Sequence, residues 1–197
     1  MAKMKLHLGI TPPVVLIMVL ILSIGFFIGF LSYAPIQKAR KKQLSDQRRR
    51  TEETRLNEYV NKPAPEVISE TIDGEMWYLS DQRGKIVLVF FWSVLCGSCV
   101  DEIPTMNGIY KKYGDRQDFI LLGVHRFPEK EIIACYCSTK DILWPQLHEM
   151  GDAAETGFFH TMGIRGTPTM CIIDREGVVI GIYRDVGEVE AVLRSML

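Results

Sequence analysis

The sequence predicts an α/β fold in which a mixed central sheet is flanked by helices. The run Lys-Ile-Val-Leu-Val-Phe-Phe-Trp at residues 85–92 is β-branched and aromatic and lacks polar alternation. Such a run is typical of a buried, parallel central strand that is covered on both faces. Strand-like and helix-like segments then alternate until two strand-like segments at residues 170–183, which indicate an antiparallel hairpin. Alternating elements that end in a hairpin favour a mixed sheet between helical layers.

The other elements follow in chain order. Asp73-Gly74 is a turn pair between two short β-like segments, so we expect a β-hairpin over residues 67–78, ahead of the central strand. Pro104 lies inside the helix that follows the central strand, and its missing N–H is expected to kink that helix. The remaining pattern predicts helices at 100–113, 128–138, 152–162 and 187–197, and strands at 119–124, 170–173 and 178–183.

The chain of 197 residues has room for one domain with appendages. Its net charge of −1 hides an asymmetry, because residues 63–197 contain 12 Lys plus Arg against 20 Asp plus Glu, whereas residues 34–58 contain 8 against 4. The acidic part argues against nucleic acid as a partner. We therefore predict four segments: a tail (1–13), a transmembrane anchor (14–33), a basic helical neck (34–62) and an acidic domain (63–197).

The anchor prediction depends on the absence of charge. Residues 8–37 contain no Asp, Glu, Lys or Arg, and the 20 residues 14–33 would span a bilayer core as one helix. A cleaved signal peptide is the alternative, because Ser32 and Ala34 are small residues at suitable offsets. The apolar run is longer than a typical signal sequence, which favours an uncleaved helix with the lipid bilayer as its partner.

Cys96 and Cys99 carry the chemistry that the sequence predicts. They are separated by two residues and follow the central strand, where a helix is expected to begin. Free N–H groups at a helix N-terminus stabilise a thiolate, so Cys96 is the expected nucleophile and Cys99 the resolving thiol. A half zinc site is an alternative, but a second pair of ligands at metal-binding spacing is missing. A purely structural disulfide is a second alternative, although a disulfide that closes so short a loop stabilises the fold only slightly.

The segment 91–104 resembles the active site of thioredoxin-fold proteins, and more narrowly that of the membrane-anchored TlpA/ResA-like thiol-disulfide oxidoreductases. The resemblance extends over residues 63–197, and Gly166-Thr167-Pro168-Thr169 is similar to the family's cis-proline loop. It implies a thioredoxin-like fold with an N-terminal β-hairpin extension. It also implies that the redox-active pair Cys96–Cys99 works without a cofactor or a metal. Further matching stretches are 63–66, 73–74, 79–85 and 174–177.

Three residues depart from the family pattern. Leu95 stands where the family usually has Trp, Ser98 where many members have Pro, and Phe90 where thioredoxins proper have a buried Asp. In the TlpA/ResA-like branch the acid lies on the active-site helix, at the position of Glu102. By resemblance, Glu102 would tune and deprotonate Cys99; the alternative is an ordinary solvated carboxylate.

We expect a substrate groove around the cysteine pair. Pro168, predicted to be cis, would shape the groove opposite Cys96, and Thr167 would offer backbone hydrogen bonds to an extended substrate. The residues assigned to this groove are Trp92, Leu95, Gly97, Ser98, Thr167 and Pro168.

The predicted activity is dithiol–disulfide exchange with protein disulfides, in the direction of reduction. By resemblance, electrons would come from a membrane thiol-electron donor. The resemblance names apocytochrome c, or another extracytoplasmic disulfide protein, as the substrate. Two other functions stay open: a peroxiredoxin-like peroxidase, disfavoured because Ser93 stands in place of the expected Thr, and a non-catalytic assembly or docking subunit of a membrane complex.

Two observations disagree about the side of the membrane. Only Lys3 and Lys5 precede the anchor, whereas seven basic residues lie between positions 38 and 50, and this charge bias predicts a cytoplasmic domain. The resemblance implies the extracytoplasmic, periplasmic side, which we adopt as the expectation.

Three further cysteines favour a reducing environment if unpaired: Cys135, Cys137 and Cys171.

Overall fold

The computed structural model describes residues 12–150 and 153–197. The chain divides into two units, the first ending at Thr51 and the second formed by Glu52–Leu197. Helix α1, Pro12–Leu56, supplies all of the first unit that is described and the first residues of the second. Most of the predicted tail, residues 1–11, lies outside the described residues. The four predicted segment boundaries stay predictions.

The predicted transmembrane anchor is corrected by the structure. Residues 14–33 do not form a helix of their own, because α1 continues through Pro35 and the basic stretch as far as Leu56. Within the part of the chain that is described, no helix combines the length and the apolar character needed to cross a membrane. This finding contradicts the single-pass anchor and the membrane localisation that was predicted with it.

The second unit contains the predicted mixed sheet. Its five strands lie in the order β5-β4-β3-β6-β7, with β3 parallel to β4 and antiparallel to β6. A separate antiparallel hairpin, β1 and β2, precedes them, as predicted. The strands are β1 Ile68–Glu70, β2 Met76–Tyr78, β3 Ile86–Phe91, β4 Phe119–His125, β5 Gln146–His148, β6 Thr169–Ile173 and β7 Val179–Tyr183.

The helices differ from the prediction in two places. The helix after the central strand begins at Gly97 and not at Val100, because Cys96 caps it. The helix predicted over 152–162 is split at Gly157, where a Cβ would collide with the Glu149 carboxylate. Residue 152 itself lies outside the described part. The helices of this unit are α2 Gly97–Tyr113, α3 Lys130–Thr139, α4 Ala153–Thr156, α5 Phe158–Thr161 and α6 Val186–Met196.

Strand β3 lies at the centre of the core, and all six of its side chains are buried. Alternate side chains of a strand point to opposite faces, so β3 contributes to two apolar clusters. On one face Leu88 and Phe90 pack in a cluster with Met106 of α2 and Leu193 of α6. The cluster on the other face contains Val87, Val89, Phe91, Trp77, Phe158 and Leu56. Burial on both faces explains why the run lacks polar alternation.

A buried carboxylate joins the end of the sheet to α5. Glu149 is 1% exposed, and its two oxygens accept hydrogen bonds from the backbone N–H groups of Phe158 (2.6 Å) and Phe159 (2.9 Å). Burial raises the pKa of Glu149 to about 7, although these hydrogen bonds and the charge of Arg126 oppose that shift. The first turn of α5 therefore depends on a group that titrates near neutrality.

The titration of Glu149 predicts a pH-dependent effect of Glu149→Gln. A pKa raised from 4.5 to about 7 on folding means that the group's stabilisation is complete below pH 4.5 and is lost as the pH rises through 7. The amide of the variant cannot titrate, so the free energy of unfolding of the native protein should fall relative to that of the variant by up to roughly 3 kcal/mol between about pH 5 and pH 8. Urea unfolding of the full chain at both pH values measures this change.

The matched control for this prediction is Glu155→Gln, which removes an exposed carboxylate from α4. Its free energy of unfolding should follow that of the native protein across the pH range. A gap between the native protein and Glu149→Gln that stays constant with pH would contradict the prediction.

Candidate active site

Cys96 lies at the junction between the central strand and α2. It is the N-cap residue of α2, and its Sγ accepts a hydrogen bond from the backbone N–H of Cys99 at 3.3 Å. A tight turn precedes it, in which the backbone N–H of Cys96 donates to the carbonyl of Ser93 and that of Leu95 donates to the Ser93 hydroxyl. The sulfur of Cys96 therefore faces the unpaired N–H groups at the start of a helix.

Cys96 and Cys99 are joined by a disulfide, with their Cα atoms 5.2 Å apart. Cys99 has no exposed surface, whereas Cys96 is half-buried. Solvent and any partner thiol or disulfide therefore reach the pair through the Cys96 sulfur. This asymmetry suits an exchange reaction, in which one accessible sulfur forms a mixed disulfide with the partner and a neighbouring sulfur then breaks it.

The predicted groove residues do not all lie at the surface. Leu95 is 82% exposed, and Gly97 and Ser98 are also exposed beside the pair. The Ser98 hydroxyl lies 3.5 Å from the Sγ of Cys96. Trp92 is completely buried, although it borders the groove described below.

The loop before β6 has the predicted conformation. The peptide bond between Thr167 and Pro168 is cis, and both residues are half-buried. The Arg184 guanidinium donates a hydrogen bond to the Pro168 carbonyl at 3.1 Å, and the Thr169 hydroxyl donates to the Gly166 carbonyl at 2.6 Å. A second cis bond, between Phe127 and Pro128, was not predicted.

Glu102 lies one turn after Cys99 on α2, at the spacing that puts two helical side chains on one face. It is half-buried. Its pKa is raised, first by burial and then by the negative charges of Asp185 and Asp101. A raised carboxyl pKa suits a group that exchanges a proton with a thiol, which is the role expected from the resemblance.

A buried polar cluster behind the disulfide was missed. The Gln146 Oε1 accepts a hydrogen bond from Trp92 Nε1 at 3.2 Å and from His125 Nε2 at 2.8 Å. Burial lowers the pKa of His125 to about 4, so the imidazole is neutral at physiological pH. The cluster fixes the indole under the active-site turn. The sequence gives no signal for this cluster, because Gln146 lies on a three-residue strand that has no apolar pattern.

A groove lies between Ser93, in the turn that leads to Cys96, and Thr167, in the cis-proline loop. Its walls come from the end of β3, the loop after β4, α5 and the segment that leads to Pro168. Sequence reasoning missed its two arginines, because neither follows an apolar pattern or a motif. The lining residues are Trp92, Ser93, Arg126, Phe127, Phe159, Ile164, Arg165, Gly166 and Thr167.

Comparison with curated proteins finds bacterial thiol-disulfide oxidoreductases. The thioredoxin-like protein YneN of Bacillus subtilis is 28% identical over 121 residues, which cover 61% of this chain and 68% of that protein. The thiol-disulfide oxidoreductase ResA of Bacillus thuringiensis subsp. konkukian is 31% identical over 128 residues, which cover 61% of this chain and 67% of that protein. The resemblance to TlpA/ResA-like proteins is therefore confirmed.

Solved structures agree on the fold. The thioredoxin domain of a thiol-disulfide oxidoreductase from Bacteroides vulgatus superposes with a TM-score of 0.62 at 24% identity, over 70% of this chain and 98% of that domain. A thioredoxin-family thiol:disulfide interchange protein from Chlorobium tepidum gives a TM-score of 0.58 at 25% identity, over 68% of this chain and 94% of that one. The fold is thus thioredoxin-like, as the resemblance implied.

The model of the AhpC/TSA family matches residues 60–182, which include both cysteines and the cis-proline loop. Thiol-disulfide oxidoreductases of this kind act through a cysteine pair and not through a cofactor, and the pair is present here as Cys96–Cys99. The chain therefore belongs to the AhpC/TSA family and is a ResA-like thiol-disulfide oxidoreductase of the thioredoxin fold.

Proposed function

We propose that this protein reduces disulfide bonds in partner proteins, with Cys96 as the nucleophile and Cys99 as the resolving thiol. The observation that carries the proposal is the asymmetry of the pair at the start of α2, where Cys96 is accessible and Cys99 has no exposed surface. The oxidised pair is the product state of such a reaction, and a dithiol donor must reduce it before each turnover.

The reaction has two exchange steps. The Cys96 thiolate attacks one sulfur of the substrate disulfide, which forms a mixed disulfide and releases the other substrate sulfur as a thiolate. Cys99 then loses its proton and attacks the Sγ of Cys96. The mixed disulfide breaks, the second substrate thiolate leaves, and the Cys96–Cys99 bond forms again. Two electrons have passed from the enzyme dithiol to the substrate.

The start of α2 supports the first step. The N-terminal end of a helix carries partial positive charge, which lowers the free energy of a thiolate relative to a thiol. The Cys99 N–H already points at the Cys96 sulfur, at 3.3 Å. Cys96 is therefore the sulfur that ionises more readily and leaves more readily, and Cys99 needs help to ionise.

Glu102 is proposed as the proton acceptor for Cys99. The buried thiol cannot give its proton directly to water, because Cys99 has no exposed surface. Glu102 stands one turn away with a raised pKa, so it can take up this proton when Cys99 attacks. Its half-buried position then lets it return the proton to solvent.

The groove supports a polypeptide substrate. Thr167, before the cis-proline, has a backbone that can pair with an extended strand, and Leu95, Gly97 and Ser98 are exposed next to the cysteine pair. Apocytochrome c is the substrate that the resemblance implies, and a membrane thiol-electron donor is the implied reductant. Both are part of the proposal and follow from the resemblance alone.

Replacing each cysteine should separate the two exchange steps. In Cys99→Ser the first step still occurs but the second cannot, so the variant should accumulate a stable mixed disulfide with a disulfide-containing substrate such as insulin. Cys96→Ser should form none and should lose essentially all reductase activity. Non-reducing gels and mass spectrometry measure the adduct, with the exposed Cys135→Ser as the matched control that keeps wild-type behaviour.

Neutralising Glu102 should slow the second exchange step. In Glu102→Gln the resolution of a preformed mixed disulfide should be at least roughly tenfold slower near neutral pH, and its rate should rise only as Cys99 itself ionises. Asp101→Asn is the matched control. It removes a charge that raises the pKa of Glu102, so the rate should stay high and its rise with pH should move to lower pH. An unchanged pH profile in Glu102→Gln would exclude the proposed role.

The reduction potential decides the direction of electron flow. A reductase of protein disulfides should have a two-electron couple confined to Cys96 and Cys99 at about −250 mV or below. A value between about −120 and −180 mV would indicate an oxidase or isomerase. Titration in glutathione or dithiothreitol buffers, with thiol alkylation followed by mass, gives the value. Absence of a reversible Cys96–Cys99 couple would favour the docking subunit, and rapid peroxide consumption would favour the peroxidase.

A further inference from the structure

The groove beside the disulfide differs in charge from the domain around it. Residues 63–197 carry 20 acidic against 12 basic side chains, yet none of the nine described residues that line the groove is acidic. Two of the nine, Arg126 and Arg165, are basic. A concave surface with charge of one sign concentrates the field of that charge at its mouth. The groove therefore favours a negatively charged occupant within an otherwise acidic domain.

Acidic side chains follow the cysteine pair on α2. Asp101 and Glu102 lie in the first turns of α2, and Asp185 is close enough to raise the pKa of Glu102. The site therefore has acidic side chains on α2 and basic ones in the groove. A polypeptide that lies across Cys96 meets both, so its own charge distribution affects how well it fits.

The arginines are presented on an apolar surface. The Arg126 guanidinium lies over the ring of Phe159, 5.2 Å from its centre, which orients the charge along the groove wall. Phe127 is 62% exposed in the groove, and Leu95, next to Cys96, is 82% exposed. Large apolar side chains left exposed around a concave site mark a surface that contacts a partner. The groove thus combines an apolar contact with a fixed positive charge.

We propose that this groove selects substrate polypeptides in which acidic side chains flank the target cysteine, through Arg126 and Arg165. The inference rests on the proposed function, because it concerns the substrate of the Cys96–Cys99 exchange. An acidic side chain in the groove approaches the two guanidinium groups, whereas a basic one is repelled by them. The selected substrates are extended segments of proteins, since the groove ends at the cis-proline loop.

Single-turnover reduction of synthetic peptides tests this proposal. Each peptide contains one cysteine in a mixed disulfide with thionitrobenzoate and differs only in two flanking positions, which are both Glu, both Gln or both Lys. The Cys96 thiolate attacks the peptide sulfur, the thionitrobenzoate leaves as a coloured thiolate, and Cys99 then releases the peptide thiol. The burst of colour gives the rate of the first step with full-length, fully reduced protein.

The Glu peptide should react about tenfold faster than the Lys peptide at low ionic strength, with the Gln peptide between them. The difference should shrink as salt is added, because salt screens charges at the mouth of an open groove. Arg126→Gln with Arg165→Gln should remove most of the preference. Arg165→Glu also brings the net charge of the two positions to zero and should likewise remove most of the preference, and this exposed position makes the variant independent of any disturbance of Phe159 packing.

The control variant is Lys111→Gln with Lys112→Gln, at the far end of α2 from Cys96. It changes the net charge by the same amount as the double arginine variant and should keep the full preference. Equal rates for the three peptides, or a preference that survives in Arg165→Glu, would overturn the inference while leaving the exchange reaction intact. A protein that reacts with none of the peptides would instead overturn the proposed function.

Discussion

Burial of the central strand on both faces is the constraint on which the rest of the domain depends. All six side chains of β3 are buried, so the strand can exist only between two apolar layers. Its end is therefore fixed in position, and the turn that follows delivers Cys96 to the start of α2. The first turn of α2 is anchored through Cys99, which is itself part of the core. The disulfide is consequently attached to the buried core through Cys99 and reaches the surface through Cys96.

Buried polar groups position the walls of the site. Gln146 holds the indole of Trp92 and the imidazole of His125, and Glu149 holds the first turn of α5 through two backbone N–H groups. Gln146 and Glu149 cost free energy to bury, and hydrogen bonds within the fold compensate both. Both Gln146 and Glu149 lie in or next to β5, so this short edge strand connects the floor of the groove to the helix that forms one of its sides.

The parts of this molecule that the sequence predicts are those with a local signal. Three features can be predicted from a few neighbouring residues each: the apolar run of β3, the cysteine pair and the Thr167-Pro168 turn. The structure contains the corresponding strand, disulfide and cis peptide bond. Strand β5 was missed because three residues carry no periodicity, and its identity is decided by pairing with β4. The break at Gly157 was missed for a similar reason, since it depends on a carboxylate that arrives from a different segment. The anchor prediction was wrong because the length of an apolar run does not determine where its helix ends.

The groove is assembled from segments that leave the ribosome at very different times. Cys96 and Cys99 are synthesised with the first half of the domain, whereas Phe159 and residues 164–167 come well after them, and β6 must still insert beside β3 to close the sheet. A nascent chain therefore contains both cysteines before the groove next to them is complete. The selectivity proposed for this groove would therefore belong to the completed fold and not to the segment that contains the two cysteines.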